Sequence, residues 1–208
     1  MNLKIAFDID GVLADFSGRF CEFLRFSHGD HLPVINGDES VVDYEWKFYP
    51  LENHHIQKAF EDILHIKDFW LSLEAKNIDE LNWIHDFLQD KKIDVYFITS
   101  RHATCGPKTP AQESSEWLQK MGWKNPNVIV SFNKGAVVNA LGINYFIDDH
   151  VSNCLDVLKF APLCNTYLLS CAHNKEYNIR HPQFKRVDSV TDFVFDVLGE
   201  YDHIKSRG

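Results

Sequence analysis

The 208-residue sequence predicts an α/β protein with a Rossmann-like parallel sheet and helices on both faces. Short apolar runs typical of buried strands recur along the chain and alternate with stretches of helical spacing. Polar and charged residues directly follow several of these runs, at the sheet edge where open α/β folds build their sites. One aromatic-rich stretch interrupts the alternation, which indicates an insertion.

The regular elements follow from these patterns. The strand-like runs are residues 3–7, 94–98, 127–131, 144–147 and 166–169. Helical spacing is found at residues 79–91, 110–121, 134–141, 151–160 and 189–198. One helix start is well marked, because Thr109 precedes Pro110 and Gln112 stands three residues after Thr109. This pattern predicts a capping box with proline at the first helical position.

The interrupting stretch, residues 16–75, contains no convincing strand and is rich in aromatic residues. Its middle part holds glycine, proline and polar residues, so we expect a loop there. We therefore predict a small, mainly helical cap at 16–75, inserted after the first strand. The core domain would then consist of residues 1–15 and 76–208.

Composition narrows the possible classes of partner. The formal net charge of −9 disfavours binding to polymeric nucleic acid, which usually requires a basic face. A small anionic substrate remains compatible, since a bound cation reverses the local field. The five cysteines lack a Cys-x-x-Cys spacing, and no apolar stretch reaches the roughly 20 residues of a membrane span. We expect a cytoplasmic protein with reduced thiols and no membrane contact.

Acidic residues mark two of the strand ends. Asp8 and Asp10 follow the first strand, and Asp148 and Asp149 follow the fourth. Carboxylates this close repel each other unless a cation or a proton intervenes. The pattern therefore indicates a metal site, an acid/base pair or both, and oxygen ligands of this kind favour Mg²⁺.

Hydroxyl and cationic residues mark the two other strand ends. Thr99, Ser100 and Arg101 follow the second strand, and Lys134 opens a helix after the third. Together with the carboxylates they suit phosphoryl transfer, in which Lys134 and Thr99 hold phosphoryl oxygens while one carboxylate attacks phosphorus. A second carboxyl group would protonate the leaving oxygen and then activate water. Ser100 is equally a phosphate contact or a loop-stabilising hydroxyl, and Arg101 equally a phosphate clamp or an exposed ion pair.

These residues, in this order, resemble the four motifs of the haloacid dehalogenase (HAD) superfamily of phosphatases. The matching motifs are Asp8-Ile9-Asp10-Gly11-Val12, Thr99, Lys134 and Asp148-Asp149. The resemblance implies that Asp8 is the nucleophile and Asp10 the general acid/base, with phosphate bound by Thr99 and Lys134. It also implies Mg²⁺ ligands, which are Asp8, the backbone carbonyl of Asp10, Asp148 and, in an assisting role, Asp149.

Within the superfamily, the chain is most similar to the 5'(3')-deoxyribonucleotidases. The similar segments are residues 10–16, 69–74 and 98–100. The resemblance implies a 5'-nucleotidase-like hydrolase for a small phosphorylated substrate, a (deoxy)nucleoside monophosphate, and it places Phe16 in the base pocket. The residues that we expect to face the substrate are Phe16, Trp46, Phe69, Trp70 and Arg101.

The sequence is also compatible with three other functions. The substrate could be a sugar phosphate or the 3'-end of a nucleic acid, and the chain could be a nucleotide-binding module without catalysis. The mechanism through an aspartyl-phosphate predicts that Asp8→Asn and Asp10→Asn each abolish turnover while the fold survives.

Overall fold

The computed structural model describes residues 2–29, 51–89, 91 and 93–205, and within them six strands form one parallel sheet. The strands are β1 Leu3–Phe7, β2 Ile93–Thr99, β3 Asn127–Val130, β4 Tyr145–Asp148, β5 Asn165–Leu169 and β6 Phe184–Val187. Their order in the sheet is β3-β2-β1-β4-β5-β6. This is the doubly wound order, in which the direction of winding reverses between β1 and β4.

Helices connect the strands and cover both faces of the sheet. They are α1 Phe16–His28, α2 Asn53–Ile63, α3 Ile78–Gln89, α4 Pro110–Lys120, α5 Lys134–Leu141, α6 Val151–Phe160 and α7 Val190–Lys205. The predicted capping box opens α4, where the Thr109 hydroxyl accepts from the Gln112 amide and the Gln112 side chain accepts from the Thr109 amide. The predicted α/β fold class is therefore confirmed.

The side chains of alternate strand residues pack into two separate hydrophobic cores, one on each face of the sheet. Phe7 of β1 packs on one face against Phe97 of β2 and edge-on against Phe193 of α7, at centroid distances of 6.1 and 5.4 Å. Ala6 and Phe146 point to the other face, under α5 and α6. Burying each large apolar side chain contributes about 1.5–3 kcal/mol, so both faces anchor the sheet edge that follows Phe7.

The structure contains one further strand, β6, which the apolar pattern did not predict. Its sequence is Phe184-Lys185-Arg186-Val187, and the two charged residues in its middle are exposed. It pairs with β5 alone and forms one edge of the described sheet, where a strand needs little apolar surface. The five predicted strands are present, and α7 extends beyond the predicted end at residue 198.

The segment between β1 and β2 contains α1, α2 and a short 3-10 turn, Phe69–Ser72, before α3. Aromatic rings hold it together, with Phe20 and Phe60 stacked at 4.3 Å and Phe16 stacked on Trp70 at 6.0 Å. The division into a cap at 16–75 and a core stays a prediction, and Trp46 lies outside the described residues. None of the described helices combines the length and apolarity that crossing a membrane requires.

Candidate active site

The candidate site lies at the switch point of the sheet. Strands β1 and β4 are adjacent, with Phe7 paired to Ile147, and the amide of Asp8 donates to the Ile147 carbonyl at 2.9 Å. Asp8 therefore leaves β1 beside Asp148, the last residue of β4. Ligand sites of open α/β sheets form at this kind of strand end, because the connections there diverge to opposite faces.

Lys134 joins the two carboxylates. It is the first residue of α5, a helix whose start is capped by the Asn133 side chain accepting from the Ala136 amide at 3.1 Å. Its Nζ lies 2.8 Å from Asp8 Oδ1 and 2.7 Å from Asp148 Oδ2, and all three side chains are buried. One ammonium thus bridges two buried carboxylates.

Burial and charge shift the acid–base properties of this triad. Burial raises the pKa of Asp8 well above its ordinary value; Lys134 opposes the rise, while Asp148 and Asp149 add to it. Burial likewise raises the pKa of Asp148 against the opposing effect of Lys134. Burial disfavours the charge on Lys134, but Asp148 and Asp8 outweigh it and raise its pKa. The cluster carries more negative charge than one ammonium offsets, which favours an additional cation.

The carboxylate cluster fits a hard divalent cation. Asp8, Asp148 and Asp149 each offer one oxygen, and these oxygens lie within 4.8 Å of one another. Gly11 makes room for the third of them, since a Cβ at Gly11 would lie 2.2 Å from Asp149 Oδ2. Gly11 also has φ +80°, a conformation that other residues rarely adopt. The donor set suits Mg²⁺, and the Asp10 carbonyl remains a predicted ligand.

The Asp10 side chain contacts a different set of groups. Arg101 donates to both of its oxygens, from Nε to Oδ2 at 2.8 Å and from Nη2 to Oδ1 at 2.6 Å. The Thr99 hydroxyl donates to Oδ2 at 3.2 Å. Arg101 is only 1% exposed, and its Nη1 donates to Ser114 Oγ at 2.9 Å. Because Asp10 and Ser114 hold the guanidinium inside the protein, Arg101 does not line the described cavities, unlike the predicted substrate contact.

Trp70 connects the segment after β1 to the loop after β2. Its indole nitrogen donates to the His102 carbonyl at 2.8 Å, and its amide donates to Glu113 Oε2 at 3.1 Å. The Arg101 guanidinium lies 5.0 Å from the centre of the Trp70 ring. Trp70 therefore helps to hold Arg101, and through it Asp10, in place.

Several residues that sequence reasoning missed support the carboxylates. Asn153 donates to Asp148 Oδ1 at 3.0 Å, and His173 Nε2 lies 3.3 Å from Asp149 Oδ2. Asn153 lies in the first turn of α6, directly after the aspartate pair, and this position could have indicated it. His173 follows β5 at the same sheet edge, so the rule used for the other strand ends would also have found it.

Two cavities adjoin at this edge. The first, of about 300 Å³, is lined by Asp8, Thr99, Lys134 and Asp149 among others. The second, of about 470 Å³, is mainly apolar and includes Trp70, His102 and Phe132 in its walls. Residues that line both cavities are Asp10, Phe16, Phe60 and Ser100. A chamber lined by charged side chains therefore adjoins an aromatic one at Asp10.

Some of the predicted substrate contacts line a cavity wall, and others are buried in the protein core. Phe16 and Trp70 line the aromatic cavity, as expected from the sequence. Phe69 is fully buried beneath them, edge-on to Phe16 at 6.4 Å, and does not line the described cavities. Ser100 lines both cavities, but its hydroxyl donates to the Ser131 carbonyl at 2.8 Å, which is the loop-stabilising contact.

Solved structures with a similar fold include HAD hydrolases. A HAD family hydrolase from Deinococcus radiodurans R1, with bound phosphate and sodium, has a TM-score of 0.54 and 12% identity, over 96% of each chain. A haloacid dehalogenase-like family hydrolase from Xanthomonas campestris has a TM-score of 0.53 and 11% identity, over 100% of this chain and 95% of the other. At this identity the likeness establishes a shared fold. No family model and no curated protein matches the sequence.

Proposed function

We propose that this chain is a Mg²⁺-dependent phosphomonoesterase of the HAD type, acting through an aspartyl-phosphate on Asp8. The observation that carries the proposal is the contact of Lys134 with both Asp8 and Asp148, at 2.8 and 2.7 Å, in the wall of a cavity that Asp10 and Thr99 also line. A nucleophile, a cation for phosphoryl oxygens and an acid/base group thus face one chamber.

The reaction follows from these side chains. A carboxylate oxygen of Asp8 attacks phosphorus, the bond from phosphorus to the ester oxygen breaks, and the leaving oxygen takes a proton from the Asp10 carboxyl group. Asp10 has to bind this proton before the step, since in the structure both of its oxygens accept from Arg101. The Asp10 carboxylate then removes a proton from water, which attacks the phosphorus of the acyl-phosphate. Inorganic phosphate leaves, Asp8 is regenerated as a carboxylate, and Asp10 is protonated again.

Charge control is the main task of the surrounding groups. The Lys134 ammonium is a donor for phosphoryl oxygens in the transition state, and the Thr99 hydroxyl becomes a second donor when it turns away from Asp10 Oδ2. A Mg²⁺ ion held by Asp8, Asp148 and Asp149 would offset the repulsion between the attacking carboxylate and the phosphate dianion. Asn153 and the His150 amide donate to Asp148 and fix its orientation.

The proposed substrate is a (deoxy)nucleoside monophosphate. The aromatic cavity next to the carboxylate chamber supports this class, because Phe16, Trp70 and Phe132 in its wall are rings of the kind on which a planar base stacks, and it adjoins the chamber that Lys134 lines. Stacking of one base on an aromatic side chain contributes about 1–3 kcal/mol. The similarity of residues 10–16, 69–74 and 98–100 to the deoxyribonucleotidases points the same way.

Phosphate release from a panel of esters tests the proposal. The panel contains 5'- and 3'-deoxynucleotides, ribonucleotides, sugar phosphates and a 3'-phosphorylated oligonucleotide, each with and without Mg²⁺. We expect Mg²⁺-dependent release that is fastest from deoxynucleoside monophosphates. Faster release from a sugar phosphate or the oligonucleotide would keep the chemistry and overturn the substrate. Nucleotide binding without release under any metal condition would establish a binding module instead.

A further inference from the structure

A second group of metal-binding side chains stands beside the carboxylate cluster. Asp149, Cys171 and His173 each offer one donor atom, and these atoms, a carboxylate oxygen, Sγ and a ring nitrogen, lie within 4.8 Å of one another. The side chains of His173 and Asp149 are 5% and 9% exposed, and Cys171 is buried. Convergence of three different donors in a buried position is typical of a transition-metal site.

The backbone around this group is held in place. The buried Asn174 side chain donates to the carbonyls of Asp149 and Leu169, each at 2.8 Å, and accepts from the Cys171 amide at 3.1 Å. Arg186 donates to the same Asn174 oxygen at 2.7 Å. Asn174 thus ties the segment that carries Cys171 and His173 to the loop that carries Asp149. The three donors converge because of the fold, with no metal needed to assemble them.

The donor types separate this group from the neighbouring carboxylates. Asp8, Asp148 and Asp149 form an all-oxygen set, which suits Mg²⁺. A thiolate, an imidazole and a carboxylate suit Zn²⁺ or Co²⁺, and three protein ligands leave a fourth position for water. We propose that Asp149, Cys171 and His173 bind a thiophilic divalent cation. Zn²⁺ is the physiological cation with which this site is probed.

Two of the three donor side chains, those of His173 and Cys171, also contact other groups. His173 Nε2 lies 3.2 Å from the Asp149 carbonyl oxygen and 3.3 Å from its Oδ2, so this ring nitrogen faces the Asp149 carboxylate. The Lys76 ammonium lies 3.9 Å from Cys171 Sγ and donates to the Gly11 carbonyl at 2.8 Å. Anchored on Gly11, it is a positive charge beside the sulfur, which favours the thiolate form and also repels a cation.

Asp149 belongs to both donor sets, which couples them. A Zn²⁺ ion on Asp149, Cys171 and His173 takes a carboxylate that the Mg²⁺ set also uses, so the two cations compete. For the phosphatase proposed above, Zn²⁺ is then an inhibitor that excess Mg²⁺ relieves. This consequence rests on the proposed function, whereas the binding of the cation does not.

Absorption spectroscopy with Co²⁺ tests the binding directly. Co²⁺ bound to a thiolate gives an intense near-ultraviolet charge-transfer band, and Zn²⁺ bleaches it by displacement. We expect the band in the full-length wild-type chain and its loss in Cys171→Ser. His173→Gln should weaken binding by at least about tenfold, the low end of what even a lost outer-shell partner costs.

Two matched variants serve as controls. Cys105→Ser removes the exposed thiol and Cys164→Ser removes a buried thiol in the core under α5 and α6; both should keep the band. Metal-free thermal unfolding of each variant verifies folding. A wild-type chain without a thiolate band, or a band that survives in Cys171→Ser, overturns the site. Because no substrate is present, this result is independent of whether the chain is a phosphatase.

Discussion

Arg101 donates two charge-assisted hydrogen bonds, of 2.8 and 2.6 Å, to the two carboxylate oxygens of Asp10. The guanidinium is itself fully buried, held by Ser114 and by the face of the Trp70 ring. Paired contacts of this geometry fix both the position and the rotation of a carboxylate. We therefore assign Arg101 to positioning the proposed acid/base, in place of the substrate contact that the sequence suggested.

Replacing Arg101 separates these two roles. Arg101→Lys keeps the positive charge but loses the fork that holds both Asp10 oxygens. We expect kcat to fall by about tenfold or more, which corresponds to one misplaced group, while KM changes little because Arg101 lies outside the cavities. Steady-state kinetics on the best substrate of the panel measure both constants. A large rise in KM with an unchanged kcat would return Arg101 to substrate binding.

Asp8→Asn is expected to abolish turnover without harming the fold. The amide cannot form the acyl-phosphate, and a neutral group suits a buried position among three other carboxylates. In metal-free buffer, the free energy of unfolding should stay within about 1 kcal/mol of wild type. Asp86→Asn, at an exposed surface aspartate, is the matched control. Wild-type turnover in Asp8→Asn would disprove the nucleophile.

The raised pKa values of Asp8 and Asp148 predict how Mg²⁺ stabilises the protein at different pH. Each folded-state pKa lies above its unfolded value of about 4, so the metal-free fold loses stability as the pH rises from there towards the folded value. A cation bound to the carboxylates removes this loss. The rise in Tm on adding Mg²⁺ should therefore be larger at pH about 8 than at pH about 5.

Differential scanning fluorimetry at the two pH values, with and without Mg²⁺, measures that difference. Asp8→Asn should reduce the Mg²⁺-induced rise in Tm at the higher pH, because one ligand and one buried charge are gone. An equal rise at both pH values, or a larger one at acidic pH, would mean that these carboxylates do not hold the ion.

Phe132 offers a test of the aromatic cavity with little risk to folding. It lines that cavity, and it is 64% exposed. We expect Phe132→Ala to raise KM for a deoxynucleoside monophosphate by about tenfold, the equivalent of one lost stacking contact, and to leave KM for a sugar phosphate unchanged. Phe195→Ala is the control, since Phe195 is 56% exposed and contacts Trp83 away from the cavity. Equal effects of the two substitutions would exclude base stacking at Phe132.

Five of the six described strands could be predicted from the sequence, because each is a short apolar run and several are followed by polar residues. Asp8, Thr99 and Asp148 all lie where those runs stop. Strand β6 was not predicted, because Lys185 and Arg186 give its sequence the polar pattern of a loop. Edge position alone is not the reason, because β3 is also an edge strand and its apolar run was predicted; the exposed charged pair in the middle of β6 removes the apolar signal.

The orientation of side chains at the site was not readable. Arg101 follows Thr99 and Ser100 in one loop, and nothing in that stretch shows that Ser114, on a later helix, and Asp10, on an earlier strand end, accept from its guanidinium. The convergence of Cys171 and His173 on Asp149 likewise depends on Asn174 tying two loops together. Such contacts arise from tertiary packing, which short-range pattern does not encode.

Detection of the covalent intermediate tests the central claim most directly. The wild-type chain is mixed with Mg²⁺ and its best substrate, quenched in acid and digested, and the peptide containing Asp8 is analysed by mass spectrometry. We predict that this peptide gains one phosphoryl group, that the gain is labile to hydroxylamine, and that Asp8→Asn lacks it. Phosphate release by the wild type with an unmodified Asp8 peptide, or with the label on another residue, would contradict the account.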